Sequence, residues 1–121
     1  MYKIKSDSEK NRLHITLLGF ISVNEAATIN EAIVKETAQL KPGFDVINDI
    51  SNFKIAQEQA SPILKDIMRF LISHKVNKIV RVVGASESGL IQFANHTFGE
   101  PAYNVKYVPT LQDAEIYLNA K

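Results

Sequence analysis

The sequence predicts a single α/β domain over residues 1–121, with a mixed sheet of about five strands and about four helices in the order β-β-α-β-α-β-α-β-α. Three observations carry this. Short β-branched runs recur at 46–50, 79–83 and 105–108 and alternate with helix-period segments, the signature of parallel strands joined by crossover helices. Two runs of period two open the chain, as an antiparallel hairpin would. No internal repeat, low-complexity tract or linker divides the chain, and 121 residues suffice for one core.

The elements follow in order. Tyr2 to Ser6 alternates like a half-exposed edge strand; the polar Asp7-Ser8-Glu9-Lys10-Asn11 turns the chain; Arg12 to Phe20 resumes with Leu13, Ile15 and Leu17 on one face. Gly19 suits a bend or a close backbone approach near the end of that strand. Ser22-Val23-Asn24-Glu25 has the spacing of a capping box, and Ala26, Ile29, Ile33, Thr37 and Leu40 continue one helical face to about Lys41. Pro42-Gly43 breaks the helix. Phe44-Asp45-Val46-Ile47-Asn48-Asp49-Ile50-Ser51 then reads as a buried central strand ending in polar groups. Residues 52–60 are polar, with Phe53 and Ile55 as apolar anchors. Ser61-Pro62 reads as an N-cap followed by proline at the first helical position, the alternative being a helical turn within 56–60 with Pro62 as a kink. Ile63, Leu64, Ile67, Met68 and Leu71 form that helix's apolar side. Lys78 to Val83 is a strand covered on both faces, and Gly84-Ala85-Ser86-Glu87-Ser88-Gly89 turns into a third helix with Leu90, Ile91, Ala94 and Phe98, closed by Gly99. Val105 to Val108 is the last strand, and Thr110 caps a terminal helix carrying Leu111, Ala114 and Leu118.

Composition narrows the function classes. Fourteen basic against 13 acidic residues give a net charge of +1, without the clustered basic face of a nucleic-acid binder. Zero cysteines exclude disulfides, thiolate metal sites and cysteine nucleophiles. The first residues lack a signal peptide's apolar core, and no apolar run approaches the ~20 residues of a membrane span, so the expectation is a cytoplasmic protein without a span.

This order, with the stretches Asp45-Val46-Ile47-Asn48-Asp49-Ile50-Ser51-Asn52-Phe53, Lys78-Ile79-Val80-Arg81-Val82-Val83-Gly84, and Phe98-Gly99-Glu100-Pro101 leading into Val105-Lys106-Tyr107-Val108, resembles the STAS domains, and within them the SpoIIAA-like (STAS/SEC14-like) branch. The likeness runs over nearly the whole chain. It implies a single-domain STAS-like mixed sheet and a non-catalytic regulatory module that meets a protein partner through the loop after the central strand. Anti-sigma-factor antagonists carry an Asp-Ser-Ser/Thr-Gly type motif there, whose serine is phosphorylated. The corresponding stretch here is Ala56-Gln57-Glu58-Gln59-Ala60, which has no hydroxyl and places Glu58 at about the phosphoacceptor position; Ser61 is the next hydroxyl, and a cap explains it.

Candidate ligand- or partner-binding residues are Asp49, Ser51, Glu58, Ser61, Gly84, Ser86 and Ser88. Open α/β sheets collect ligands at strand C-termini, which singles out Asp49 and Ser51; the competing role is a local Asx or Ser turn. The Gly84–Gly89 turn has amides for an anion, but a dinucleotide fingerprint wants glycine at Ser86 and a P-loop wants Lys-Ser/Thr at Leu90-Ile91, which leaves a turn capped by Ser86 or Ser88 as the alternative. His14, His74 and His96 lie on three different elements with no H-x-x-x-H spacing, and no serine lies in a G-x-S-x-G elbow, so neither a metal, a cofactor nor a catalytic set is expected. Phe70, Leu71, Ile91 and Phe93 exceed what one buried helix face requires. They could line a pocket for a small lipophilic ligand, form a partner surface or a homodimer contact, or simply be covered. A carrier of this kind needs an enclosed apolar pocket of ~300 Å³ or more.

Overall fold

The computed structural model describes residues 1–84 and 105–120. Its centre is a five-stranded mixed sheet in the order β1-β2-β4-β6-β7, built from β1 (Tyr2–Asp7), β2 (Arg12–Leu17), β4 (Asp45–Asp49), β6 (Ile79–Val82) and β7 (Val105–Val108). β1 pairs antiparallel with β2, and every other neighbour is parallel, with β4 in the middle. The hairpin, the central strand and the last two strands thus stand where the apolar patterning puts them.

The second run of the hairpin does not continue to Phe20. Gly19 has φ +62, a conformation that costs glycine little, and there the chain leaves the main sheet. Its next residues form β3 (Gly19–Ile21), which pairs in parallel with β5 (Phe53–Ala56) as a separate two-stranded ribbon. The register shifts between Gly19 and Phe20, so the exposed Lys54 is the extra residue of a bulge.

Three α-helices lie among the described residues. Helix α1 (Val23–Thr37) starts as its capping sequence predicts: Ser22 Oγ accepts from Glu25 N–H at 3.1 Å. Glu25 does not complete the box, since its carboxylate meets the N-terminal ammonium at 2.8 Å. Helix α2 (Ser61–Ser73) corrects the expected cap: Ala60 is the N-cap, Ser61 is already helical and Pro62 is second in the helix. A 3₁₀ turn over Glu58–Ala60 feeds it, which is the helical turn the sequence left open. Helix α3 (Leu111–Asn119) is capped by Thr110, whose Oγ1 accepts from Asp113 N–H at 3.1 Å. The helix expected over 90–98 lies outside the described residues.

One face of the main sheet packs on α1 and α2. There Leu13, Ile15, Leu17, Ile29, Ile33, Val46, Leu64 and Leu71 form the larger core. On the other face Ile47, Val80, Val82 and Val108 pack on Ala114 and Leu118 of α3. Each fully buried aliphatic side chain contributes about 1.5–3 kcal/mol, and strands buried on both faces explain the runs without alternation in β4 and β6. At the free edge of β1, Glu36 of α1 accepts from Ser6 N–H at 3.0 Å and Ser6 Oγ–H at 2.9 Å, which blunts an otherwise open strand edge.

Half-buried His14 of β2 gives this fold a pH dependence. Burial lowers its proton affinity from the ordinary value of 6.5, outweighing the attraction of Glu115. The native state therefore prefers neutral His14, so its contribution is present above about pH 6.5 and is lost as pH falls below it. We expect the thermal midpoint to drop between about pH 7.5 and about pH 5, and a His14→Gln variant to lose part of that slope. An identical slope in the two proteins would assign the acid sensitivity elsewhere.

Candidate functional site

The polar end of β4 is ordered by its own backbone. Asp49 Oδ1 accepts from Ser51 N–H at 3.0 Å and from Ser51 Oγ–H at 2.6 Å, an Asx-type turn that redirects the chain off the central strand. Ile50 N–H donates to Val82 at 2.9 Å and Phe53 N–H to Ile50 at 3.1 Å, so the turn stays tied to the sheet. Gly84 leaves β6 beside it, with φ +84 and its amide on Pro109 O at 3.1 Å. A Cβ built on Gly84 would lie 3.7 Å from Ser51 Cβ, which places the two candidate turns against each other. Asp49, Ser51 and Gly84 therefore share one edge of the sheet; Ser86 and Ser88 lie outside the described residues.

Glu58 and Ser61 stand further along the same connection, Glu58 exposed at the 3₁₀ turn and Ser61 half-buried at the start of α2. What fixes this loop is the ribbon. Gly19 N–H donates to Asn52 O at 2.9 Å, Gln57 N–H to Ile21 O at 2.8 Å, and Val23 N–H to Gln57 Oε1 at 3.0 Å. The loop after the central strand is thus bonded to the first turn of α1. Beneath the ribbon Ile21 and Phe53 are buried; above it Phe20 and Ile55, partners in register, are 55% and 53% exposed. The ribbon thus holds two large apolar side chains side by side in water.

Neither Phe20 nor Ile55 is among the sequence-derived candidates. The available signal was the period-two pattern Gly19-Phe20-Ile21 after a bending glycine, matched by Phe53 and Ile55 in an otherwise polar loop. Arg81 also escaped notice, although any residue of a strand covered on both faces must be buried. It is 2% exposed, and its Nη1 donates to Tyr107 Oη at 3.1 Å.

Between α1, α2 and the sheet the free space is about 30 Å³, bounded by Ile15, Ile29, Leu64, Met68, Asn48 and Arg81. That is a tenth of what the carrier alternative requires. Phe70 packs against the core and stacks on His74 with ring centroids 4.0 Å apart, so part of the apolar excess in α2 is accounted for by covering. No three acidic or histidine side chains among the described residues converge as metal ligands. The displaced proton affinities resolved there belong to His14 and to Asp7, whose carboxylate is held low by the Lys10 amide at 3.1 Å. Both lie on the first hairpin, away from Asp49, Glu58 and Gly84. Among the described residues no helix is long and apolar enough to cross a membrane.

No family model and no curated protein matches the chain. Solved structures do. The anti-sigma factor antagonist SpoIIAA in its unphosphorylated form is 12% identical, with 97% of this chain and 96% of that one covered at a TM-score of 0.60. The Bacillus cell fate determinant SpoIIAA in its phosphorylated form is 10% identical over 98% of this chain and 100% of that one, at 0.66. An uncharacterized DUF3478-family protein with a SpoIIAA-like fold, from Shewanella loihica PV-4, is 16% identical over 98% and 92%, at 0.65. With the mixed sheet, the central β4 and the coverage of both chains in agreement, this protein has the SpoIIAA-like, STAS-like fold.

Proposed function

We propose that this protein is a non-catalytic cytoplasmic regulatory module that docks a protein partner on the β3–β5 ribbon and the loop following the central strand. The observation that carries the reading is the register pair Phe20 and Ile55, each more than half exposed on a ribbon pinned by main-chain hydrogen bonds. Folding leaves this pair in water, while Ile21 and Phe53 below it complete the core. The likeness to an anti-sigma factor antagonist, a protein named for acting on another protein, supports the same class of role. Asp49 and Ser51 serve this surface by fixing the turn that launches the ribbon. The loop Ala56–Ala60 carries no hydroxyl, so docking here is not switched by phosphorylation within it; Glu58 supplies a permanent negative charge at the rim instead.

The test is affinity capture from host extract with the wild type, Phe20→Asp and Ile55→Asp as baits. Central apolar contact residues carry 2 kcal/mol or more of binding, so recovery of a specific partner should fall roughly 30-fold with either variant. Both side chains are exposed, so thermal stability should stay within about 0.5 kcal/mol of the parent. A partner recovered equally by all three baits would move the docking surface elsewhere.

A further inference from the structure

The face of the main sheet that packs on α1 and α2 is not wholly apolar. Val46 and Ile79 belong to the larger core, so strand alternation puts Asn48 of β4 and Arg81 of β6, two residues further on, on that same side. The two stand in register on adjacent parallel strands, with Tyr107 of β7 next in the row. Arg81 is 2% exposed, and its Nη1 donates to Tyr107 Oη at 3.1 Å. Asn48 Oδ1 is buried as well, and among the described residues no group donates to it. A strong donor and a buried acceptor therefore neighbour one another in an apolar setting, with no direct bond from the guanidinium to that oxygen.

Both side chains line the free space of about 30 Å³ between the helices and the sheet, whose apolar walls include Ile15, Ile29, Leu64 and Met68. One water molecule needs roughly 10–15 Å³ of such space and at least two polar partners. The volume thus holds one or two waters, and the lining supplies an acceptor from Asn48 and donors from a guanidinium that carries five N–H groups. Other occupants fit worse. An apolar molecule leaves the Asn48 oxygen without a donor, which is costly in a buried place. An anion meets the guanidinium but sets its charge against that same oxygen.

We infer that this cavity is a hydration site, in which one or two water molecules accept from the Arg81 guanidinium and donate to Asn48 Oδ1. Asn48, Arg81 and Tyr107 then form one hydrogen-bonded row across β4, β6 and β7. The bridge gives a donor to the buried oxygen, and it ties the central strand to β6 through side chains as well as main chain. The site lies on the main sheet and not on the β3–β5 ribbon, so it stands independently of the partner proposed above.

Water-selective NOE and ROE spectroscopy on the full methyl-labelled chain tests this, read at the methyl groups of Ile29, Leu64 and Met68. The wild type should show water cross-peaks there with the sign of a held molecule and not of fast surface hydration. Xenon pressure should leave the same methyl shifts unchanged, because xenon enters dry apolar cavities. Asn48→Leu removes the acceptor at similar volume and should abolish the cross-peaks. Arg81 stays in that variant, so a signal relayed through its exchanging protons would persist and count against the inference. Should Asn48→Leu unfold the chain by circular dichroism, Asn48→Val takes its place, and the wild-type water and xenon measurements still decide. Wild-type methyls without water cross-peaks, cross-peaks that survive the loss of Asn48, or xenon-induced shifts would each overturn the inference.

Discussion

Replacing Phe44 with alanine is expected to remove about 3–5 kcal/mol of folding stability, the usual cost of deleting a fully buried aromatic side chain. Phe44 is 1% exposed in the larger core, immediately before the central strand. Its neighbours leave little room for collapse into the cavity. Gly43 holds φ +88 with its amide on Lys75 O at 2.7 Å, and Phe44 O accepts from Asn77 N–H at 2.7 Å. The backbone is thus fixed on both sides, so the transfer and cavity terms add. Domains of this size have about 5–15 kcal/mol in total, and each kcal/mol moves the midpoint by roughly 4 °C, so a fall of roughly 12–20 °C should appear in a thermal scan. A loss below about 1 kcal/mol would show that this end of the core repacks freely.

The main sheet was legible because its strands are written in apolar runs bounded by breakers. Pro42-Gly43 before β4, Pro109 after β7 and the capping serine and threonine at 22 and 110 each announce a boundary that the structure keeps. The two-stranded ribbon was not legible. Its strands are three and four residues long, too short for a period to declare itself, and each pairs with a segment more than 30 residues away, a non-local choice that propensity does not encode. The same reason hid the exposed apolar pair: Phe20 reads as the last residue of β2 until Gly19 turns it out of the sheet.

The polar candidates show the converse. Asp49, Ser51 and Gly84 were read correctly as one end of the sheet, because parallel strands bring their C-termini together wherever loops permit. What the residue types leave open is whether such groups bind or build. The 2.6 Å bond from Ser51 Oγ–H to Asp49 Oδ1 commits one carboxylate oxygen to the turn, so these residues hold the loop that carries the β3–β5 ribbon. Sequence placed these groups at one sheet end, and geometry shows that the Asp49–Ser51 pair is spent on the turn.

Arg81 to alanine is the second large expected loss, about 2–5 kcal/mol, the cost of deleting a large, fully buried side chain, and it separates fold from function most sharply. Arg81 lies opposite Asn48 of β4 and Tyr107 of β7 in register, under α2, with its guanidinium 5.8 Å from the Tyr107 ring centre and bonded to the phenol oxygen. Removing the guanidinium takes a donor from Tyr107 Oη and leaves a cavity in the core, which together cost more than the bond itself contributes. Lysine keeps the charge but not the planar fork, so Arg81→Lys should recover little of the loss. Tyr107→Phe should cost about 1–2 kcal/mol, and the double-mutant cycle between Arg81 and Tyr107 should show a coupling of about 0.5–3 kcal/mol in urea unfolding. Additivity of the two would mean that the guanidinium is held by its other contacts. Because Arg81 sits inside the main sheet while Phe20 and Ile55 sit on the ribbon, the two sets of variants must fail differently. Arg81→Ala should lower stability and leave partner capture intact wherever the chain remains folded, whereas Phe20→Asp should lower capture roughly 30-fold in a chain as stable as the parent.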